Sequence, residues 1–357
     1  MNKNIINKNK TYIIFSILYI VLNYSSNVLA GNEQRSGQAG ATELLINPWA
    51  RSSGWGSINI ANASGLESTY LNVAGLTGTS NTELIFSSTN WFSDININAF
   101  GFAKSLDNQT VIGLSVMSMA FGEIEITTTE QPEGTGAFYS PSYINIGFSY
   151  AKKFTDNISC GSTVKMISES ISDLKASGVA IDAGVQYVTG DKRQIKFGIA
   201  LKNVGPKMQY SGDGNDIRNE NTTSHGQNYA MTYDLRVESF EIPSSLNIGA
   251  SYDFTLDSEH SVTIASSFTS NSFSKDQFGL GFEYNYKSLF MLRSGYVYEE
   301  GINKEFNRGR STAFTGLNFG LSFEIPLSND SSFGLDYSYR MSNPLSSPNS
   351  IGVRLAL

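Results

Sequence analysis

The sequence contains few of the residues on which metal centres, disulfides and nucleophilic catalysis depend. Its 357 residues include one cysteine, Cys160, and two histidines, His225 and His260. One cysteine can form neither an internal disulfide nor a cysteine-based zinc site, and two isolated histidines form no histidine cluster. The chain has no G-x-S-x-G motif and no EF-hand calcium loop. These absences predict a protein that is not an enzyme and that needs no cofactor and no metal.

The chain also has no excess of positive charge. Its formal net charge is −7, and Lys3, Lys8 and Lys10 are the only charged residues among the first thirty, so the remainder carries −10. Nucleic-acid binding needs clustered positive charge that can replace the counterions on phosphates. The composition therefore predicts no nucleic-acid partner.

Long apolar runs are absent after residue 30. The one such run, residues 12–22 (YIIFSILYIVL), follows the three lysines and precedes a small-residue cleavage pattern over residues 28–30 (VLA). It is shorter than the ~20 residues that a spanning helix needs, which favours a signal peptide over a transmembrane anchor. We expect residues 1–30 to be removed on export, so that Gly31 begins the mature chain.

From Thr82 onward, apolar residues alternate repeatedly with polar or small ones. Residues 246–254 (LNIGASYDF) are one example, and residues 333–339 (FGLDYSY) are another. Because successive side chains of a strand point to opposite faces, each such segment has one apolar and one polar face. The fourteen segments with this pattern are 82–91, 94–104, 109–121, 142–154, 157–168, 177–189, 193–204, 243–255, 260–269, 276–287, 289–299, 312–326, 331–341 and 350–357.

The connections between these segments alternate in length. The short ones are 105–108, 155–157, 190–192, 256–259, 287–288 and 327–330, and the long ones are 122–141, 169–176, 205–242, 270–275, 300–311 and 342–349. A soluble sandwich has no reason to sort its loops in this way, whereas an outer-membrane barrel has tight periplasmic turns and longer outer loops. The hairpin at residues 91–94 is the exception, because it is short where a long loop is expected.

We therefore predict an all-β fold: a 14-stranded antiparallel transmembrane β-barrel in the bacterial outer membrane, over residues 81–357. The last strand must pair with the first, because lipid cannot satisfy an open sheet edge. The apolar sets then face lipid and the charged residues face the lumen. That predicted lumen set is Asp182, Lys196, Lys202, Asp253, Glu283, Lys287, Glu324, Asp336, Arg340 and Arg354. A secreted pair of β-sandwiches is the alternative, since alternation alone fits both.

Several segments resemble the PorV/PorQ family of Bacteroidota outer-membrane proteins, which are relatives of the FadL fatty-acid channel fold. The segments that carry the resemblance are residues 36–56, 65–76, 82–103, 113–124 and 333–355. Residues 70–76 (YLNVAGL) are similar to the family's YWNPAGL, with Leu71 in place of tryptophan and Val73 in place of proline. The resemblance implies a 14-stranded barrel whose N-terminal segment folds into the lumen. It also implies a role in type IX protein secretion, with a large translocon barrel and the C-terminal signal domains of cargo proteins as partners.

Residues 31–80 are predicted to form this luminal plug. The part from Ser36 to Leu76 is rich in small residues and lacks the strand alternation. It holds two of the three tryptophans, Trp49 and Trp55, which we predict to be its anchors. We further expect Arg51 to pair with a lumen carboxylate, either Asp336 or Glu324.

The long connection 205–242 is the predicted contact surface for partner proteins, because it far exceeds what chain closure requires. Its candidate contact residues are Tyr210, Tyr229, Met231, Tyr233 and Phe240, and a mobile surface loop is the alternative interpretation. Acidic residues in the first long loop (Glu123, Glu125, Glu130 and Glu133) are best explained as a solvated loop rather than a cation site. Two other functions stay open: a FadL-like channel for hydrophobic small molecules, and a purely structural subunit of a larger outer-membrane complex.

Overall fold

Fourteen strands form where the alternating pattern predicts them. The structure is a computed structural model that describes residues 31–222, 228–305, 309–310, 312–327 and 331–357. The predicted signal peptide, residues 1–30, and His225 lie outside the described residues. The strands are β1 (Thr82–Asn90), β2 (Asn96–Ser105), β3 (Thr110–Ala120), β4 (Ser142–Lys153), β5 (Ile158–Ile171), β6 (Leu174–Thr189), β7 (Ile195–Val204), β8 (Ser245–Thr255), β9 (His260–Asn271), β10 (Gln277–Tyr286), β11 (Phe290–Glu299), β12 (Gly316–Pro326), β13 (Ser332–Arg340) and β14 (Asn349–Ala356).

Each of these strands pairs antiparallel with its neighbours in sequence, and β14 pairs with β1, so the sheet closes into a ring. In this last pairing Glu83 lies opposite Ala356, and Thr89 lies opposite Ser350. Beyond it, the backbones of Thr82 and Leu357 exchange two hydrogen bonds, of 3.1 and 2.8 Å. Closure leaves no open sheet edge, as a structure in lipid requires. The predicted 14-stranded antiparallel barrel is confirmed.

The barrel wall has an apolar outer face and a polar inner face. Outward side chains such as Phe148 and Leu280 are 54% and 62% exposed. Inward charged side chains such as Asp182, Lys202 and Asp336 are buried. An apolar belt around a closed barrel is stable in lipid, whereas in water so large an exposed patch would drive aggregation. The protein is therefore a barrel of the bacterial outer membrane, as the sequence predicts.

Two sequence predictions about the wall are wrong. The sequence predicts a long loop over residues 169–176, but β5 and β6 continue into this region and leave only the turn Ser172–Asp173 between them. The alternation is weak there because polar residues occupy both faces of these strand ends. Lys287 does not face the lumen: it follows β10 in a short turn and pairs with Glu259 at 3.0 Å. A residue beyond a strand end is not held to either face of the sheet.

The chain before β1 folds inside the ring; we call residues 31–80 the plug. Its helical turns are short: 3-10 turns at Glu33–Arg35 and Thr42–Leu45, helices α1 (Ala50–Ser53) and α2 (Ser68–Leu71), and a 3-10 helix at Val73–Gly78. The backbone amide of Gly31 donates to Asp276, on the long-loop side of the barrel, at 2.7 Å. The plug ends beside β1 on the short-turn side, so it runs from the outer end to the periplasmic end. No helix among the described residues is long and apolar enough to cross a membrane.

The longest connection, between β7 and β8, carries a hairpin that the sequence pattern did not predict. Its strands are Asp216–Thr222 and Asn228–Asp234, and we call it the outer hairpin. Ile217 lies opposite Tyr233 in its register. Polar residues such as Asn219 share this face, which makes the alternation weak. At the base of the connection, the two-residue strand Tyr210–Ser211 pairs with β6.

Candidate functional site

The two tryptophans of the plug are buried against the barrel wall. Trp49 is 2% exposed and packs with Leu66 and Leu76 of the plug and with Ile85 of β1. Its ring lies over Gly101 of β2, where an added Cβ atom would stand 2.9 Å from Trp49 Cη2. A buried tryptophan removes roughly 150–250 Å² from water, so this contact holds the plug strongly in place.

Trp55 occupies a second position on the wall, near β9 and β11. It is 2% exposed and packs with Ala265 and Val297. Next to it, the plug backbone at Gly54 meets the wall backbone at Gly320, where an added Cβ atom would lie 2.8 Å from Gly54 Cα. A side chain at Gly320 would push the plug away, because both partners there are backbone atoms.

Arg51 pairs with an acid of the plug itself rather than with the wall. Its Nε atom lies 3.8 Å from Glu67 Oε1, and its side chain is 24% exposed. The two acids expected from the sequence have other partners: Asp336 accepts from Ser322, and Glu324 pairs with Arg354 at 2.9 Å. Burial raises the pKa of Glu67 above its usual value, and the Arg51 guanidinium opposes that shift. The prediction of a plug-to-wall ion pair at Arg51 is therefore wrong in its partner.

A cavity of about 540 Å³ lies between the plug and the outer end of the barrel. One side is aromatic: the ring centres of Trp91 and Phe314 are 4.4 Å apart, and those of Phe121 and Tyr143 are 4.8 Å apart. Further apolar side chains on this side are Ile46, Phe92, Ile95 and Met119. The opposite side carries hydroxyl and amide groups, including those of Ser245, Asn247, Ser267, Thr269 and Gln277. An apolar cavity with a few polar groups is the usual form of a small-molecule site.

Two cations also line this outer cavity. Lys202 is 7% exposed, and its Nζ atom lies 3.4 Å from the centre of the Tyr70 ring. Arg340 lies over the Phe314 ring at 5.4 Å and donates from Nη2 to the Phe314 carbonyl oxygen at 3.2 Å. Within the described part of the chain, neither cation has an ion-pair partner. Because unpaired buried charge is costly, an acceptor atom on a bound molecule would be stabilised beside them.

A second cavity, of about 500 Å³, lies on the periplasmic side of the plug and is lined by Arg51, Trp55 and Asn59. Gly56, Ser57 and Ile60, only a few residues along the chain, line the outer cavity instead. At residues 55–60 the barrier between the two cavities is therefore a single segment of the plug. The side chain of Asn47 supports this segment by donating to Ser57 Oγ at 2.9 Å.

The five predicted contact residues fall into two groups. Tyr229, Met231 and Tyr233 lie on the outer hairpin and are 47%, 41% and 42% exposed. Tyr210 and Phe240 lie at the base of the connection, where they pack against a buried cluster that includes Ala41 and Leu44 of the plug. The first group is available to a partner protein, whereas the second belongs to the barrel's own core.

Sequence reasoning missed the outer cavity. Its aromatic side chains come from α2 of the plug, from loop 91–95, from the residue after β3, from β4 and from the segment before β12. Phe121 and Tyr143 stand at strand ends, where membrane-facing and inward-facing aromatics have the same local pattern. The one signal in the sequence is the short connection 91–94 with Trp91 and Phe92, which interrupts the regular order of loop lengths.

The fold is similar to that of solved hydrocarbon channels. A toluene transporter of Pseudomonas putida, TodX, shares 14% identity, with a TM-score of 0.55 over 87% of this chain and 98% of that chain. The CymD monoaromatic hydrocarbon channel shares 13% identity, with a TM-score of 0.54 over 87% and 97%. At these identities the likeness shows the fold alone. No protein-family model matches the chain, and no curated protein matches it. The resemblance to the PorV/PorQ family therefore stays a prediction.

Proposed function

We propose that the protein is an outer-membrane channel for small hydrophobic molecules. The observation that carries the proposal is the outer cavity, about 540 Å³ in volume, with the aromatic side built around Trp91 and Phe314. A molecule entering from outside meets this apolar side before it meets the plug. The two structural neighbours, a toluene transporter and a monoaromatic hydrocarbon channel, support the same class of cargo.

The proposed route passes through the plug at residues 55–60. The second cavity, on the periplasmic side of the plug, is called the inner cavity. It approaches the outer cavity at this segment, because Ser57 lines the outer cavity and Asn59 lines the inner one. The inner cavity is polar, so a hydrophobic molecule gains little by staying in it and leaves toward the periplasm. Movement of this one segment connects the two cavities without unfolding the barrel.

Lys202 and Arg340 extend the proposed cargo to molecules that have a polar or anionic end. Both cations line the same cavity as the aromatic cluster. A carboxylate placed near Lys202 would replace its contact with the Tyr70 ring, which is the weaker interaction. A pure hydrocarbon would leave both cations as they are.

Uptake measurements with two probes test this proposal. Cells with the protein in their outer membrane are expected to take up radiolabelled toluene and octanoate faster than cells without it. Trp91→Ser and Phe314→Ser should slow both probes, whereas Lys202→Met should slow octanoate more than toluene. Tyr229→Ser is the matched control, because it removes an exposed aromatic of the outer hairpin. Equal uptake with and without the protein would refute the channel.

Type IX protein secretion is a second candidate function, and the outer hairpin is the observation that favours it. Ile217, Tyr229, Met231 and Tyr233 place apolar side chains on one face of the hairpin, and each is more than 40% exposed. Exposed apolar and aromatic side chains of this kind are common at protein interfaces. A translocon barrel or the signal domain of a cargo protein would cover this face.

Affinity purification from the native outer membrane tests the secretion role. Under this candidate function, the intact protein recovers a very large barrel or secreted cargo, and a variant with residues 217–233 replaced by a Gly-Ser linker recovers neither. Recovery of the large barrel alone, with normal cargo secretion by the variant, would indicate a purely structural subunit. Recovery of neither by the intact protein would exclude both forms of this role.

A further inference from the structure

Two buried acids meet where the outer end of the plug touches the wall. Glu43 lies in the 3-10 turn Thr42–Leu45 of the plug, and Glu169 lies near the end of β5. Each is 2% exposed. Asn145 of β4 contacts Glu43, with its Nδ2 atom 3.5 Å from Glu43 Oε1. In the β4–β5 register, Glu169 lies opposite Tyr143, two residues from Asn145, so all three polar groups share one patch of the inner wall.

Three oxygen atoms of this patch have no donor in good hydrogen-bond geometry, although the backbone amide of Ala41 lies close to the Glu169 carboxylate. They are Glu43 Oε2, Glu169 Oε1 and Asn145 Oδ1. The remaining oxygen of Glu169 accepts a hydrogen bond from the Tyr210 hydroxyl. Buried acceptors are almost always satisfied in native proteins, because leaving a buried oxygen without a partner destabilises the folded state. Three orphaned oxygens in one patch point to a missing electron-pair acceptor.

The charges around the patch do not supply that acceptor. Glu169, Tyr143 and Tyr210 line a vestibule with Glu43, and none of them is a cation. Lys202 and Arg340 line the outer cavity with Glu43, but among the described residues neither forms an ion pair with Glu43 or Glu169. Lys165 lines the same small cavity as Glu43 and Asn145, but it is paired with Asp182 at 2.6 Å and donates to Asn203 at 2.8 Å. No side chain among the described residues therefore supplies the acceptor that the orphaned oxygens lack.

We propose that Glu43, Asn145 and Glu169 bind a hard divalent cation, Ca²⁺ or Mg²⁺, which clamps the outer end of the plug to the barrel wall. Two carboxylates match the charge of such an ion, and carboxylate, amide and water oxygens are the ligands that it prefers. No three His, Cys, Asp or Glu side chains come together in the described ranges, so the amide serves as third ligand. Rotation of the Asn145 amide exchanges its two ends and turns the oxygen toward the ion.

The ion and its waters have an open way in. A vestibule of about 330 Å³ adjoins the patch and is lined by Glu43, Glu169, Tyr143 and Tyr210. Because Tyr210 comes from the base of the β7–β8 connection, the site joins the plug, the wall and this connection. An ion that binds only the folded form stabilises the folded protein by mass action. Removal of the ion should therefore weaken the contacts among the plug, the wall and this connection. This inference stands apart from the proposed channel, since the clamp would act on the plug whatever the barrel carries.

Cation titration of the purified, chelator-treated barrel at pH 8 tests the clamp. The expected result is one saturable site for Ca²⁺ or Mg²⁺ by calorimetry and a rise in Tm on adding the ion. Glu43→Gln and Glu169→Gln should each weaken binding at least tenfold and make Tm independent of the ion. Glu125→Gln is the control, because it removes an exposed acid of the first long loop and should leave binding intact.

A second readout keeps the test valid if a variant folds poorly. Tb³⁺ can stand in for Ca²⁺ in the wild-type barrel, and Tyr143 and Tyr210 lie close enough to sensitise its luminescence. Luminescence that added Ca²⁺ displaces, and that is lost in Glu43→Gln, supports the site. Absence of binding by both divalent ions would overturn the proposal, as would unchanged binding by Glu43→Gln. If Tm depends on pH but not on either ion, Glu43 and Glu169 share a proton instead, and the clamp is refuted.

Discussion

Replacement of Trp55 by alanine should open the barrier between the two cavities. Trp55 is 2% exposed, and its ring lies against Gly281, where an added Cβ atom would be 2.7 Å from Trp55 Cε3. Removing a buried tryptophan costs about 3–5 kcal/mol. The barrel strands keep their own pairing, so this loss falls mainly on the contact between plug and wall. At 1.4 kcal/mol for each factor of ten, the ratio of displaced to seated plug rises roughly 10²- to 4 × 10³-fold.

Single-channel recording in planar bilayers measures this change directly. The variant should show frequent openings where the wild type shows rare ones. Hydrogen exchange should accelerate over residues 44–76 and stay unchanged in β1 to β14. Trp91→Ala is the matched control, since it removes a 5%-exposed tryptophan from the cavity wall instead of the plug. Trp55→Phe should open at a frequency between those of the wild type and Trp55→Ala.

Two results would refute this reasoning. If Trp55→Ala leaves both the openings and the exchange of residues 44–76 unchanged, the ring does not hold the barrier. If exchange accelerates equally in the strands, the loss falls on the whole barrel and the plug is not a separate unit. Equal openings in Trp91→Ala would show that any lost aromatic side chain loosens the protein.

Three further predictions concern the plug, its ion pair and the outer hairpin. Gly320→Val should displace α1, because a Cβ atom there stands 2.8 Å from Gly54 Cα, and the midpoint of heat-modifiable gel migration should fall. Gly113→Ala should change this midpoint little, because its Cβ atom meets only the side chains of Leu76 and Ser149. Arg51→Met should lower the free energy of unfolding by roughly 1–3 kcal/mol, because it leaves the buried Glu67 carboxylate without its ion-pair partner. Adding Glu67→Gln to this variant should restore most of that loss, as measured by denaturant unfolding. Replacing residues 217–233 by a Gly-Ser linker should leave barrel assembly and toluene uptake unchanged, since the hairpin strands pair only with each other in the described sheets; reduced uptake would place the hairpin on the transport route.

The wall of the barrel could be predicted strand by strand because its information is local. Whether Leu246 or Asn247 faces lipid is set by their neighbours in the chain and by the solvent on each side of the sheet. The prediction was wrong where that local rule weakens, at the polar ends of β5 and β6 and at Lys287 in a turn. It also did not anticipate the outer hairpin within connection 205–242. The predicted ion-pair partner of Arg51 was wrong for a different reason. Charge alone makes many acids possible partners, and it does not favour Glu67 over Asp336.

The candidate sites depend on contacts that no local pattern contains. Glu43 and Glu169 stand 126 positions apart, and Trp91 and Phe314 stand 223 apart, yet each pair meets inside the barrel. The sequence by itself determined the strands, the closed ring, the membrane-facing surface and the presence of a non-alternating segment before β1. Only the tertiary structure decided how that segment lies in the lumen, and hence where the two cavities form. The physical reason is that strand faces follow from the period of the backbone, whereas a cavity follows from which distant side chains ring closure brings together.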